Sequence, residues 1–215
     1  MKKYLLFHIL FLSSVISWAQ NPSDNNLEEK LSEMYANDQA VRQDLMELNV
    51  QWAGKPEFNA KMDSITTVML RIDRENQLFV ANLLDSVGWP SGLSFEANMA
   101  IFMVIQHSAP EYMSKYADMV EQQYTKGVII PSLYAIFKDR MLMRADKPQL
   151  YGSQIFNGYV WPIEDVENVD ERRKQMTLPS MEQYLDMMKN GGNSVVWEKD
   201  ITIEEIKELI KQKRN

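Results

Sequence analysis

The chain has no cysteine, and only two of its 215 residues are histidine. The first absence excludes disulfides, thiolate metal sites and a lipid-bearing cysteine. The second excludes a zinc centre of the usual kind, which needs several histidine or cysteine ligands. Basic residues are in the minority: 23 Lys and Arg against 30 Asp and Glu leave a net charge of −7. That balance disfavours a diffuse basic surface, so no nucleic-acid partner is expected. Glycine-rich phosphate loops, Gly-x-Gly-x-x-Gly, His-Glu-x-x-His and Gly-x-Ser-x-Gly do not occur. The acidic run 164–171 lacks the central glycine of a calcium loop and reads as a charged helix start. Nothing in the sequence calls for a cofactor or a metal.

Long apolar runs are also scarce. The one near the start covers residues 4–12, follows Lys2 and Lys3, and precedes Ser17-Trp18-Ala19. This order predicts a secretory signal peptide over residues 1–19, cleaved before Gln20. Losing Lys2 and Lys3 with the leader takes the net charge from −7 to −9. Beyond it the longest uninterrupted apolar run is residues 99–105, too short to cross a bilayer, so no stable membrane insertion is expected after leader removal. The expectation is an exported soluble protein, periplasmic or secreted, held together by packing alone.

Hydrophobic periodicity then predicts a mainly α fold, a helical bundle-like single domain over residues 23–189. Leu27, Leu31, Met34, Val41, Leu45 and Leu48 recur at alternating spacings of three and four, which marks a long amphipathic helix over 23–50. Met62, Ile65, Met69, Ile72, Phe79, Leu83 and Val87 mark a second, ended by the turn Gly88-Trp89-Pro90. A helix over 95–108 is apolar on nearly every face. Two more are expected near 111–124 and 132–144, each beside a proline. The pattern then changes: aromatic and β-branched runs flank Asn157-Gly158, the pair preferred in a two-residue turn, and predict a small β-hairpin near 150–162. Short helices follow near 166–175 and 179–188. Residues 190–215 read as a hinge and a charged C-terminal helix that packs loosely or against a partner.

Several helices place a polar residue where their stripe calls for an apolar one. Asp38 interrupts the first helix, with Arg42 one turn on; Asn76 interrupts the second, with Asp73 beside that seam. His107, the one histidine outside the leader, and Gln106 end the third; Asp139-Arg140 interrupts the fifth. Buried polar groups need partners, so these side chains are expected to meet one another, a ligand or water. Each also has a structural reading: Asp38 with Arg42 as an ion pair, His107 as a donor to helix-end carbonyls, Asn76 as a bridge to backbone.

The order Asp38-Gln39-x-x-Arg42, Asp73, Asn76, Gly88-Trp89-Pro90, Gln106-His107, Asp139-Arg140, Gln149-x-Tyr151-Gly152-Ser153-Gln154 and Arg172-Arg173 resembles a bacterial family of uncharacterised domains, catalogued as a domain of unknown function. Members more usually carry Thr where this chain has Ser153 and Ala where it has Ser108. The resemblance spans roughly residues 30–188 and implies an architecture and a residue set without an activity.

Two functional expectations follow. One is a noncatalytic binding or scaffold module of the cell envelope, taking a small polar ligand or an envelope protein. The other is an extracytoplasmic enzyme acting on a small polar or anionic substrate. In it His107 serves as general acid or base, with Asp139 or Asp38 orienting the imidazole. Asp38, Arg42, Asn76, Gln106, Arg140, Gln149, Tyr151, Gln154 and Arg172 are the ligand-binding candidates in either case.

Overall fold

The computed structural model describes residues 22–191 and 194–214; the expected leader and part of the expected hinge lie outside the described residues. The fold is mainly α with one small hairpin, as the periodicity predicts. Helices α1 (Pro22–Trp52), α2 (Phe58–Val87), α3 (Phe95–His107), α4 (Pro110–Thr125) and α5 (Pro131–Arg144) come first. Strands β1 (Ile155–Phe156) and β2 (Tyr159–Val160), then α6 (Val169–Gln175), α7 (Met181–Asn190) and α8 (Ile203–Arg214) complete the order.

Local chemistry explains the boundaries. Gly88 ends α2 at a φ of 73°, and its N–H returns to the Leu84 carbonyl. Ser94 caps α3 by accepting from the Ala97 N–H, while the Glu28 carboxylate of α1 accepts from the Ser94 N–H and ties the two helices together. Pro110 and Pro131 occupy first-turn positions, where a missing N–H costs nothing. Ser180 and Gln183 form a reciprocal capping box, which is why α7 starts after Leu178-Pro179 rather than at it.

Helix α3 is the centre of the molecule. Its residues Ile101, Phe102 and Ile105 pack against Leu31 of α1, Val80 and Leu84 of α2, Met113 of α4 and Phe137 of α5. Each such side chain contributes about 1.5–3 kcal/mol by leaving water, which outweighs the weak propensity of β-branched residues for helix.

The hairpin pairs Ile155 with Val160 and Phe156 with Tyr159 in antiparallel register. Asn157 and Gly158 both have positive φ, 49° and 85°, as the primed two-residue turn requires. The C-terminal segment docks on this hairpin. Val196 exchanges backbone hydrogen bonds with Gly158 and Val160, and Ile201 and Ile206 enclose Trp161. Helix α8 therefore buries its apolar face against its own chain. Among the described residues, no helix is long and apolar enough to cross a membrane.

Candidate functional site

The polar residues that interrupt the helix stripes divide into two groups. The first holds the segment after α5 in place. Asp139 is fully buried, and its carboxylate accepts from the backbone N–H groups of Leu150 (2.8 Å), Tyr151 (3.0 Å) and Ser153 (2.9 Å). Burial pushes this carboxyl up from the usual carboxylate range, and the three N–H groups act against that rise. Gln149, also fully buried, accepts from the Gln154 N–H through Oε1 and donates through Nε2 to the carbonyls of Gln154 and Trp161. Arg172 donates to the carbonyls of Leu150, Glu164 and Asp165 and pairs with the Asp165 carboxylate. Arg173, 1% exposed, donates to the carbonyls of Tyr151 and Pro179 and lies over the Tyr184 ring. Thus Tyr151 is bound through its backbone at both ends, and its ring packs against the main core.

The second group gathers where α1, α2, α3 and α5 meet. Arg42 Nε donates to Asp38 Oδ1 at 3.0 Å, and its Nη2 reaches Asp73 of α2 at 2.6 Å. Gln39 donates to the other oxygen of Asp38 at 2.8 Å. His107 Nδ1 stands 3.6 Å from Asp38 Oδ1, a close approach just outside hydrogen-bond reach. Burial opposes ionisation of Asp38, but His107 and the Arg42 hydrogen bonds outweigh it and hold its carboxyl below the usual range. Asp73 ends above its usual value, because burial exceeds the attraction of Arg42.

Arg140 completes this group from α5. Its Nη1 donates to the Gln106 carbonyl and its Nε to Gln154 Oε1, each at 3.2 Å, so its partners are neutral. Arg144, one turn on, donates to the Ser108 carbonyl. Burial pushes Arg140 below the usual guanidinium value, and Arg144 and Arg42 push the same way. Among the described residues, three buried side-chain polar atoms have no hydrogen-bond partner: Asn76 Nδ2, Gln106 Oε1 and His107 Nδ1. Such atoms are costly to leave unpaired in a finished core.

The structure thus joins Asp38, Arg42, Gln106, His107 and Arg140 at the helix seam, whereas Asn76 lines a separate groove between α1 and α2 with Met34, Val41 and Ile72. It assigns Asp139, Gln149, Tyr151 and Arg172 to the loop lock, with Gln154 bridging the two. Of the two carboxylates considered for His107, Asp38 is the one that faces it. Sequence reasoning placed Asp73 only beside the seam and omitted Arg144. The signal for Arg144 was its spacing of four from Arg140, which puts both on one helix face. Among the described residues no group of three or more acidic or histidine side chains is placed to hold a metal ion.

A mainly helical domain with a buried ionic seam and a separately locked hairpin is the class these features define. The chain belongs to DUF6624, a family of unknown function, whose profile covers residues 25–195. The resemblance to a domain of unknown function is borne out, and α8 lies beyond the matched span. No curated protein and no solved structure matches the chain.

Proposed function

We propose that this chain is an exported, noncatalytic binding module of the bacterial cell envelope, and that its helix seam holds the anionic group of a small polar ligand. Export rests on the leader pattern of residues 1–19, and a periplasmic or secreted location follows from it.

The observation that carries the binding reading is the pairing of Arg140. Two carboxylates, Asp38 and Asp73, are both taken by Arg42, while Arg140 and Arg144 hydrogen-bond neutral carbonyl, amide and thioether groups. The two guanidinium groups and two carboxylates of the seam balance, and Arg140 is the guanidinium left without a carboxylate partner among the described residues. A partly buried guanidinium without a carboxylate is stabilised by an anion that it can grip through two parallel N–H groups. The unpaired His107 Nδ1, on the residue after Gln106, supplies further hydrogen-bonding capacity nearby.

The test is calorimetric titration with inorganic phosphate and with sulfate at constant ionic strength. Saturable binding is expected with at least one anion, weakened about tenfold or more by Arg140→Gln, since a charge-assisted pair is worth about 1.5–3 kcal/mol. Absence of any binding or thermal shift with both anions removes this reading.

A second reading, an enzyme with His107 as general acid or base, is favoured by one contact alone. An ionised Asp38 lies 3.6 Å from Nδ1, the position from which a carboxylate orients an imidazole, and the ring is 20% exposed. Turnover abolished by His107→Ala in a variant that still binds the anion would select it over the binding reading.

A further inference from the structure

We infer that Gln154 sets which charge the seam accepts: its side-chain amide aims Arg140 and leaves the guanidinium without a counter-charge, which a ligand's anion then supplies. This role rests on the anion-binding reading of the seam and adds a positioning residue to it, from outside the helices. Gln154 stands in the segment between α5 and β1 and is 7% exposed. Its Oε1 accepts from Arg140 Nε at 3.2 Å, while its Nε2 donates to Ser153 Oγ at 3.0 Å and to the Ile136 carbonyl at 3.4 Å. Ile136 and Arg140 are four apart on α5. One amide therefore spans a single turn of that helix, its oxygen at the guanidinium and its nitrogen at the carbonyl.

The amide stands only one way round. A carbonyl oxygen is an acceptor alone and a guanidinium a donor alone, so turning the amide over would set oxygen against the Ile136 carbonyl and NH2 against Arg140. The backbone beneath it is held as firmly. The Gln154 N–H donates to Gln149 Oε1 at 2.8 Å, and the Gln154 carbonyl accepts from Gln149 Nε2 at 3.1 Å and from the Trp161 N–H at 3.0 Å. Every polar group of Gln154 is matched, and Arg140 is the one charged partner among them. Arg140 bonds a second neutral dipole through Nη1, the Gln106 carbonyl, and its Nη2 makes no hydrogen bond among the described residues.

Amide and acid differ at this position by one charge and almost nothing in shape. With glutamine in place, Arg42 answers Asp38 and Asp73, and Arg140 is the guanidinium left over. A glutamate there would give Arg140 an internal carboxylate, and the seam would hold three carboxylates against two guanidinium groups. Such a charge-assisted bond is roughly twice as strong as the neutral one it replaces. An incoming anion would then have to displace a partner tethered to the protein, where a further negative charge is repelled. The acid's second oxygen would also meet the Ile136 carbonyl, which drives it towards Arg140. An apolar side chain of the same length removes the aim and adds no charge, so the two contributions separate.

The test is calorimetric titration of inorganic phosphate and of sulfate, at constant ionic strength, into the full chain and into its Gln154→Glu and Gln154→Met variants, with thermal unfolding to show that each variant folds. Wild type is expected to bind at least one anion. At neutral pH, Gln154→Glu should bind it about tenfold or more weakly, and Gln154→Met about threefold more weakly. The deficit of Gln154→Glu should shrink as pH falls through about 4 and below, where a glutamate side chain takes up its proton and is again neutral. Taking the ratio of wild-type to variant affinity at each pH cancels the anion's own titration. Should Gln154→Glu fail to fold, Gln154→Met decides alone. Wild type that binds neither anion removes the anion reading, and this role with it. Wild-type binding joined to unchanged affinity in either folded variant, or to a Gln154→Glu deficit that ignores pH, overturns the role of Gln154 and leaves that reading standing. Failure of both variants to fold makes Gln154 a structural residue and overturns the role as well.

Discussion

His107 turns its Nδ1 towards Asp38 Oδ1 at 3.6 Å, and the same oxygen accepts from Arg42 Nε at 3.0 Å. One carboxylate thus organises a cation from its own helix and an imidazole from another. Replacing Asp38 with Asn removes the charge that both were placed around. The expected loss is about 3–5 kcal/mol in unfolding free energy at neutral pH, the cost of breaking a buried ion pair. The folded carboxyl titrates below its unfolded value of 3.8, so its contribution is fully present above that value and is lost as pH falls through the folded value. Asp73, raised chiefly by burial, works in the opposite sense, and losing the Asp38 charge in the variant relieves part of that rise. Urea unfolding at a series of pH values should show a constant gap between wild type and Asp38→Asn near neutrality, narrowing in acid below 3.8.

Asp139→Asn should damage the lock on the segment after α5. An amide has one acceptor oxygen where the carboxylate has two, and its NH2 would face backbone N–H groups that Asp139 now satisfies. A loss of about 3 kcal/mol is expected, with faster hydrogen exchange at the amides of Leu150, Tyr151 and Ser153. Anion binding by the folded fraction should be unchanged. Normal stability and exchange would remove the locking role.

Gly152→Ala tests the same lock by shape. Gly152 has a φ of 69°, and an added Cβ would stand 2.7 Å from both Ile163 Cδ1 and Met181 Sδ. Left-handed backbone strain and overpacking act together here, so a destabilisation of about 2–4 kcal/mol is expected from thermal or denaturant unfolding.

Gln106→Leu has the opposite expectation. Gln106 is buried with an unpartnered Oε1, so an apolar replacement relieves a cost of about 1 kcal/mol. Stability at or above the wild-type value, with phosphate binding little changed because the backbone carbonyl that holds Arg140 is kept, is the expected pair of outcomes in parallel denaturation and calorimetry. A large loss of stability would show that the amide is structural.

The breaks in the helix stripes were legible because periodicity compares each residue with its own helix. Asp38, Asn76 and Asp139 each occupy a core position, and each is buried. Asn157-Gly158 was legible for a local reason as well, since the pair tolerates positive φ at both turn positions. Partners were less so. The ligands of Asp139 are backbone N–H groups, which carry no residue-specific mark, and so its separation from His107 was hidden. The Arg42–Asp73 contact joins residues 31 apart, across a turn whose geometry no stripe specifies. An amphipathic pattern also says that α8 buries one face without saying that Trp161 receives it.

Arg140, which bonds only neutral groups at the seam, sits in a molecule whose overall charge is strongly negative. An approaching anion is repelled at long range and attracted only over the last few ångströms. Added salt screens the distant repulsion first, because its reach of about 10 Å at 0.1 M ionic strength leaves close contacts largely intact. Capture of such a ligand should therefore quicken as ionic strength rises from very low values, the reverse of ordinary electrostatic steering.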